Sequence, residues 1–142
     1  MKIRIALIAT CMLCLNVMPM ALGACVAGEI LPSTPIRLKA SWYSRKDLVR
    51  DGQDKRTNFI MANGEVFYDS SMVCASWDFP LNALVRVTNI GSGNSIIVRV
   101  SDRTARRFKG KRIDLSKGAM QALGGQRALK KGLLQVSVER IK

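Results

Sequence analysis

Residues 83–101 read ALVRVTNIGSGNSIIVRVS, and this stretch decides the fold class. Apolar and polar residues alternate from Ala83 to Ile90, which is the period of a strand with one buried face. The turn residues Gly91–Asn94 follow, and the chain then returns through the β-branched run Ser95–Ser101. Two such runs joined by a glycine-containing turn predict an antiparallel β-hairpin.

Further strands are predicted on both sides of this hairpin. Residues Arg37–Tyr43 alternate loosely between apolar and polar, and Gly64–Tyr68 follows an Asn63-Gly64 turn. A final strand is expected over Leu133–Ile141, where the alternation is again regular. Many strands in a chain of this length favour a small β-barrel.

One short helix is expected between the hairpin and the final strand. Asp114 or Ser116 would cap its start, and Gly124-Gly125 would end it. The residues predicted to form its buried face are Ala119, Met120 and Leu123. The polar segment Ser44–Phe59 is predicted to be a poorly ordered surface loop, and the basic segment Arg106–Arg112 a second loop.

The N-terminal region has the layout of a secretory signal. Lys2 and Arg4 precede an apolar run that extends to about Ala24, and no acidic residue occurs before Glu29. The run is also long enough for a retained membrane anchor, but its small residues favour cleavage. The 142 residues therefore divide into a signal peptide at 1–24, a tether at 25–37 and one folded domain at 38–142.

Cysteine usage depends on how the signal is removed. The residues Leu22-Gly23-Ala24-Cys25 match a lipobox, which predicts lipidation of Cys25 and a membrane anchor. Acylation of Cys25 would leave Cys74 without a partner, as a small buried hydrophobic residue. If Cys25 is not acylated, a Cys25–Cys74 disulfide is possible in an oxidising compartment.

Charge and composition restrict the function further. The chain has 23 Lys and Arg against 10 Asp and Glu, and removal of Lys2 and Arg4 leaves a net charge of +11. An exported protein of this charge is expected near stem peptides, wall phosphates or anionic membranes. The sequence contains no histidine and no zinc-ligand spacing, so neither a metal site nor a cofactor is predicted.

Six sequence blocks occur in a fixed order along the predicted domain. They are ASWY at 40–43, MANGEVF at 61–67, FPL at 79–81, VRVTN at 85–89, VRVSDR at 98–103 and IDLS at 113–116. Over about Leu38 to Ile141 the chain resembles the rare lipoprotein A family of septal-ring lytic transglycosylases. The resemblance implies a mostly β fold, a six-stranded double-psi β-barrel with one or two short helices, which expansins also use.

The resemblance also implies an activity and its residues. The family cuts the MurNAc–GlcNAc bond of peptidoglycan without water and leaves a 1,6-anhydro sugar. A single carboxyl group can first protonate the glycosidic oxygen and then accept the proton of the sugar 6-hydroxyl. The family's catalytic Asp falls on Asp102, and its Glu falls on Glu65, which would modulate Asp102 or hold substrate. The competing interpretation makes Asp102 a structural strand-end carboxylate and Glu65 an exposed one.

Two departures from the family pattern weaken the expected activity. Ser76 stands where the family has a His, and serine carries no charge near neutral pH, so a proton relay through this catalytic position is weakened. Thr104-Ala105 replaces a Gly-Pro turn beside Asp102, which changes the expected shape of the groove. Asp114 is expected to be structural, as a helix cap or a partner of loop amides.

Substrate contacts are expected from side chains around Asp102. Tyr43 and Trp77 offer rings on which sugars can stack, and Asn63 and Arg103 complete the predicted substrate-binding set. Trp42 is expected to be a core residue. The basic segment Arg106–Arg112 could meet anionic groups of the wall, but its charge would also lower the pKa of Asp102, which opposes a general acid.

We therefore expect a peptidoglycan lytic transglycosylase whose partner is the glycan strand. It would lie at the periplasmic face of the outer membrane if Cys25 is acylated, and in the periplasm or outside the cell if it is not. A non-catalytic, expansin-like wall-binding module is the first alternative. The second alternative is a basic protein that binds nucleic acid or anionic lipid, which the positive charge alone would explain. Nucleic acid is not the expected partner. No oligomeric state is predicted.

Overall fold

The computed structural model describes residues 34–141, which form a closed β-barrel of six strands. The strands are β1 (Ile36–Tyr43), β2 (Val73–Ala75), β3 (Leu84–Asn89), β4 (Ser95–Asp102), β5 (Arg112–Ser116) and β6 (Leu134–Arg140). The helices are α1 (Arg45–Arg50), α2 (Gln53–Thr57) and α3 (Lys117–Lys131), and a 3₁₀ turn spans Arg106–Phe108. The order around the barrel is β1-β5-β2-β4-β3-β6. The pairs β1·β5 and β2·β4 are parallel, and the others are antiparallel.

The predicted hairpin is confirmed as β3 and β4. Val85 pairs with Val98 and Val87 pairs with Ile96, so the apolar residues of both strands share one face. Val85, Val87 and Val98 are almost fully buried in the barrel interior. Burial of one face fixes the register, because a slip by one residue would turn every valine towards solvent.

The first and last predicted strands are also confirmed. β1 begins at Ile36, two residues before the expected domain boundary, and pairs with both β5 and β6. Trp42 packs against the main core, as predicted, and its indole N–H donates to the Leu129 carbonyl at 3.2 Å. Cys74 is buried in β2 and forms no disulfide within residues 34–141. Cys25 and the predicted signal peptide lie outside the described residues.

The helix prediction is right in its start and in the position of the glycine break, but it does not include the helical segment that follows. Ser116 caps α3, because its Oγ accepts a hydrogen bond from the Ala119 amide at 3.1 Å. Ala119, Met120 and Leu123 are buried, as expected. Gly125, at φ 64° and ψ −162°, is not helical and interrupts α3 where Gly124-Gly125 was expected to end the helix, and a second helical segment continues to Lys131. Asp114 is not a cap; it lies inside β5.

Two other predictions are wrong. The segment Ser44–Phe59 is not a poorly ordered loop: it contains α1 and α2. Ser44 and Asp47 form a capping box at the start of α1, which satisfies the first amides of the helix. The predicted strand Gly64–Tyr68 contributes only an isolated bridge between Ile60 and Val66, because the chain turns back on itself there.

The segment that replaces the predicted strand packs on a second, smaller core. Phe67 is 1% exposed and clusters with Met61 and Val73. The ring of Tyr43 stacks on Phe67 with the ring centroids 4.6 Å apart. This cluster joins α1, through Leu48, and residues 59–67 to the ends of β1 and β2, through Tyr43 and Val73. Within residues 34–141, no helix is both long and apolar enough to cross a membrane.

Candidate functional site

The barrel brings four residues from four strands into one row. Ser41 of β1 pairs with Asp114 of β5, Asp114 pairs with Ala75 of β2, and Ala75 pairs with Asp102 of β4. Paired residues of neighbouring strands point to the same face of a sheet. The Asp102 and Asp114 side chains therefore flank Ala75, and two strand spacings put their Cα atoms about 10 Å apart.

A cavity of about 230 Å³ opens over this row. Ala75 contributes only a methyl group to its wall, which leaves room between the two aspartates. The helix α1 and the chain after β4 form the other sides. The lining of the cavity also includes Tyr43, Asp47, Asp51, Arg103 and Thr104. Four of the lining side chains are carboxylates, so the cavity is acidic although the whole chain is strongly basic.

Asp102 is held by the backbone and not by an ion pair. Its Oδ1 accepts hydrogen bonds from the Arg103 amide at 2.8 Å and from the Ala62 amide at 3.1 Å. Among residues 34–141, every hydrogen bond to this carboxyl group ends on Oδ1, so Oδ2 is left for the cavity. Burial raises the pKa of Asp102, against the lowering effect of the two amides and the Arg103 guanidinium.

Asp114, which the sequence predicted to be only structural, lies in the candidate site. It lines the same cavity as Asp102, its Oδ1 accepts a short hydrogen bond from the Ser41 hydroxyl, and burial raises its pKa. A strand signal was present in the sequence, because Ile113 and Leu115 alternate with Arg112 and Asp114. The strand is five residues long and runs directly into the helix cap, so the capping pattern masked it.

Asp47 and Asp51 were also missed. They lie four residues apart in and after α1, and both line the cavity. Both pair with Arg50, at 3.2 Å and 3.1 Å respectively. The Ser44-x-x-Asp47 capping pattern could have revealed the helix, but nothing local in the sequence shows which barrel opening it covers.

Glu65 does not reach this cavity in the structure. Its Oε1 accepts a hydrogen bond from the Arg99 guanidinium at 2.7 Å, and both side chains are well exposed. Asn63 lies in the same turn, where its Oδ1 caps the Glu65 amide and its Nδ2 donates to Asn82. The structure thus gives Asn63 a turn-forming role and separates Glu65 from the row of aspartates.

Ser76 is 0% exposed and points into a local network. Its Oγ accepts a hydrogen bond from the Asp78 amide at 3.1 Å, and its amide donates to the Asp102 carbonyl. The side chain therefore makes no contact with the cavity that Asp102 lines. Ser76 is joined to Asp102 through the backbone alone.

Arg103 stabilises the loop beside the cavity. Its guanidinium donates to the Ser76 carbonyl by a short hydrogen bond and to the Phe79 carbonyl at 2.8 Å. Arg103 and Arg106 also lie over the Trp77 ring, at 5.0 Å and 5.5 Å from its centroid. The Trp77 indole N–H donates to the Thr104 carbonyl at 2.6 Å, which fixes the ring.

Tyr43 lines the cavity, but one face of its ring is covered by Phe67. Its hydroxyl group is buried without a hydrogen-bond partner in the described part of the chain. Burial, followed by the charge of Asp102, raises the pKa of Tyr43, so the phenol stays protonated. Thr104 has a buried hydroxyl of the same kind. Both hydroxyl oxygens are closed to solvent, so a ligand in the cavity could satisfy them only after neighbouring side chains move.

Comparison with known proteins places this geometry in context. The family model described as lytic transglycolase matches residues 36–138. A probable endolytic peptidoglycan transglycosylase RlpA of Synechocystis sp. is 44% identical over 86 residues, which is 60% of this chain and 23% of that protein. The endolytic peptidoglycan transglycosylase RlpA of Vibrio cholerae is 35% identical over 103 residues, 72% of this chain and 34% of that protein. The chain thus spans 23% and 34% of the length of these two relatives.

Solved structures support the fold independently. The Streptomyces papain inhibitor superposes with a TM-score of 0.57 at 20% sequence identity, over 80% of this chain and 100% of that one. Cerato-platanin 3 of M. perniciosa gives a TM-score of 0.52 at 16% identity, over 75% of this chain and 95% of that one. At this level of identity the two matches concern the barrel alone.

Proposed function

Since the chain belongs to the lytic transglycolase family, as its resemblance to rare lipoprotein A predicted, we propose that it cleaves the glycan strand of peptidoglycan at the MurNAc–GlcNAc bond. The product would carry a 1,6-anhydro end. The observation that carries the proposal is the Asp102 carboxyl group, which lines an open cavity with Oδ2 available and a raised pKa.

Asp102 would act first as the acid and then as the base. Its raised pKa favours the protonated form, which can donate from Oδ2 to the glycosidic oxygen as the bond to the anomeric carbon breaks. The carboxylate that results can accept the proton of the sugar 6-hydroxyl while that oxygen bonds to the anomeric carbon. No water is consumed, and Asp102 ends protonated as it began. The Ala62 and Arg103 amides keep Oδ1 in place throughout.

Asp114 would stabilise the positive charge that develops on the sugar. It faces Asp102 across Ala75, and a fixed negative charge in a partly desolvated site strengthens as the anomeric carbon becomes cationic. Burial raises the pKa of Asp114 as it does that of Asp102, but the Ser41 hydrogen bond and the charge of Arg112 favour the carboxylate form that this role requires. In this proposal Asp114, rather than Glu65, is the second carboxylate.

Tyr43 and Thr104 would hold the sugar between the two aspartates. Each lines the cavity and has a buried hydroxyl group without a partner among the described residues, which would turn towards a bound sugar. Sugar hydroxyls would satisfy these groups, which supports binding through hydrogen bonds more than through stacking. Trp77 could stack on a sugar only after Arg103 and Arg106 leave its ring.

The direct test is digestion of purified sacculi and of denuded glycan strands, followed by mass spectrometry. We expect soluble fragments with anhydro-MurNAc ends, and none with the reducing ends that hydrolysis would give. Wild-type protein that releases nothing from either substrate across pH and salt would disprove the proposed activity.

The rate is expected to fall as the pH rises through the pKa of Asp102. Burial raises this pKa, so the decline should begin at a higher pH than an ordinary aspartate would give. Initial rates on soluble glycan between pH 3 and pH 9 measure the profile. A rate that increases steadily with pH would show that the reaction needs Asp102 ionised from the start, against the acid role.

Replacement of Glu65 by glutamine tests whether Glu65 or Asp114 is the second carboxylate of the site. Because Glu65 pairs with Arg99 outside the cavity, we expect Glu65→Gln to change the rate by less than about threefold, the effect of a surface ion pair. Arg99→Gln is the matched control, since it breaks the same pair from the other side. A loss of about a hundredfold or more in Glu65→Gln alone would restore Glu65 as the assisting group.

A non-catalytic wall-binding module remains the second candidate. The observation that favours it is Ser76, which occupies the family's histidine position and is fully buried, so it supplies no proton relay to the cavity. In that case the protein should sediment with sacculi, Asp102→Asn should bind equally well, and neither protein should release fragments.

We propose that the chain is exported, as action on peptidoglycan requires. The apolar N-terminal run and the lipobox at Leu22–Cys25 support this, and an acyl group on Cys25 would fix the protein to a membrane facing the wall. The intact mass of the purified protein distinguishes an acylated Cys25 from an unmodified one.

A further inference from the structure

A second and larger cavity lies at the opposite end of the barrel. It measures about 440 Å³ and is bordered by the β3–β4 turn and the bend of α3. The strand β4 connects the two ends, since Ser95 follows this turn and Asp102 lies in the other cavity. Seven residue steps of β4 separate the sites by about 23 Å. The second cavity therefore takes no part in the proposed cleavage.

The charge of this cavity is opposite to that of the Asp102 cavity. Arg127 and Lys131 border it, one helical turn apart on α3, and no acidic residue is part of its lining. Within residues 34–141 neither side chain forms an ion pair. Two cations on one face of a helix repel each other, so an anion between them would be favoured.

Asn89 adds a directed hydrogen-bond donor to the two cations. It is only 9% exposed, and its Oδ1 accepts a hydrogen bond from the Gly91 amide at 3.0 Å, which fixes the orientation of the amide group. The Nδ2 group has no partner among the described residues and faces Gly124. The Ser92 hydroxyl accepts from the Asn94 amide and keeps its own hydrogen free to donate.

The backbone at this place is shaped by glycine. Gly125 has φ 64° and ψ −162°, a conformation that residues with a side chain avoid, and this bend opens the cavity between the two parts of α3. Gly124 has no room for a side chain, because a Cβ atom would lie 2.6 Å from that of Ala128. The floor of the cavity is therefore backbone and small side chains.

We propose that this cavity binds a phosphate monoester carried on a sugar. Donors converge on it from the end of β3, the β3–β4 turn and α3, which suits the tetrahedral oxygens of a phosphate better than a planar carboxylate. The volume lies in the range of pockets for small organic ligands, so a phosphate group alone would leave it partly empty. Ala122, Ala128 and Leu134 supply an apolar side for the sugar ring.

The test is an NMR titration of ¹⁵N-labelled protein at constant ionic strength with three probes. They are N-acetylglucosamine 1-phosphate, inorganic phosphate and N-acetylglucosamine. We expect saturable shifts of the Gly91, Gly124 and Gly125 amides with the first probe, weaker binding by about threefold or more for phosphate alone, and no shift for the neutral sugar. Equal affinity for N-acetylglucosamine 1-phosphate and inorganic phosphate would show that the cavity does not recognise the sugar. Chemical-shift changes centred on Arg106–Arg112 would overturn the proposal.

Variants distinguish a specific phosphate site from the general attraction of anions to a basic protein. The double variant Arg127→Gln, Lys131→Gln should weaken binding by about tenfold or more, because it removes two charged donors. Asn89→Asp keeps the bond to Gly91 but replaces the donor by a negative charge, so binding should be lost. Lys130→Gln is the matched control: it lies next to Lys131 on α3, outside the lining, and should retain wild-type affinity.

An equal loss of affinity in Lys130→Gln and in the double variant would overturn the proposal. Both proteins should fold, since the replaced side chains are exposed, and their NMR spectra report this directly. Release of glycan fragments should be unchanged in the double variant, so failure of phosphate binding and failure of the proposed cleavage are separate results.

Discussion

Asp102→Asn is expected to abolish release of anhydro-ended fragments and, at neutral pH, to raise the melting temperature. The activity should fall by about 10²–10⁴-fold, because asparagine can neither donate nor accept the transferred proton. The fold should be retained, since the asparagine Oδ1 can accept the same hydrogen bonds from the Ala62 and Arg103 amides.

The gain in stability follows from the direction of the pKa shift. Burial raises the pKa of Asp102 in the folded protein, so its contribution to stability is complete below the pKa of the unfolded chain and is lost as the pH rises through the folded value. Above that pH the wild type carries a partly desolvated charge that the asparagine variant lacks. The variant should therefore melt higher than wild type at pH 8 and equally at pH 3.

Calorimetry at these two pH values and fragment release together measure this prediction. A variant that is inactive but melts lower than wild type at pH 8 would indicate that Asp102 has a structural role. An active variant would remove Asp102 from the chemistry altogether, and the wall-binding candidate would then gain support if binding to sacculi persisted.

Asp114→Asn is expected to reduce the rate constant for cleavage by about 10²-fold while binding of glycan changes little. The variant keeps an oxygen that can accept the Ser41 hydrogen bond, but it removes the negative charge opposite Asp102. Loss of an electrostatic group that acts mainly in the transition state appears in kcat and not in KM.

Steady-state kinetics on soluble glycan strands measure the two parameters separately. Glu139→Gln is the control, because it also removes one negative charge but lies in β6, paired with Arg86. If Asp114→Asn raises KM with kcat unchanged, Asp114 holds substrate and does not stabilise the transition state. If both variants lose activity equally, the effect is one of net charge.

Four of the six barrel strands, β1, β3, β4 and β6, can be predicted from the sequence because they carry local signals. The strand β2 has only three residues, and the pattern of β5 resembles a helix cap. The hairpin at 83–101 alternates strongly enough to fix both strands and their register, and the first and last strands were found in the same way. The segment 44–59 was misread because its polarity resembles a loop. Its helices are short and contain no buried residue, so the apolar period that normally identifies a helix is absent.

The site was less predictable because it is produced by closure of the barrel. Asp102 was predicted, but Asp114 lies in β5, which follows β4 in the chain and yet pairs with β1 and β2 and not with β4. The family resemblance implies that Glu65 assists Asp102 or holds substrate, yet its side chain pairs with Arg99 outside the cavity. Burial of Ser76 likewise depends on how the chain after β2 packs, which no local pattern encodes.

The row Ser41–Asp114–Ala75–Asp102 has a consequence for the order of folding. Its members are separated by up to 73 positions in the chain and come together only when the parallel pairs β1·β5 and β2·β4 have formed. Pairings between such distant segments arise late and slowly. Partly folded chains therefore lack the assembled pair of aspartates, and the proposed cleavage would become possible only when β2 has paired with both β4 and β5.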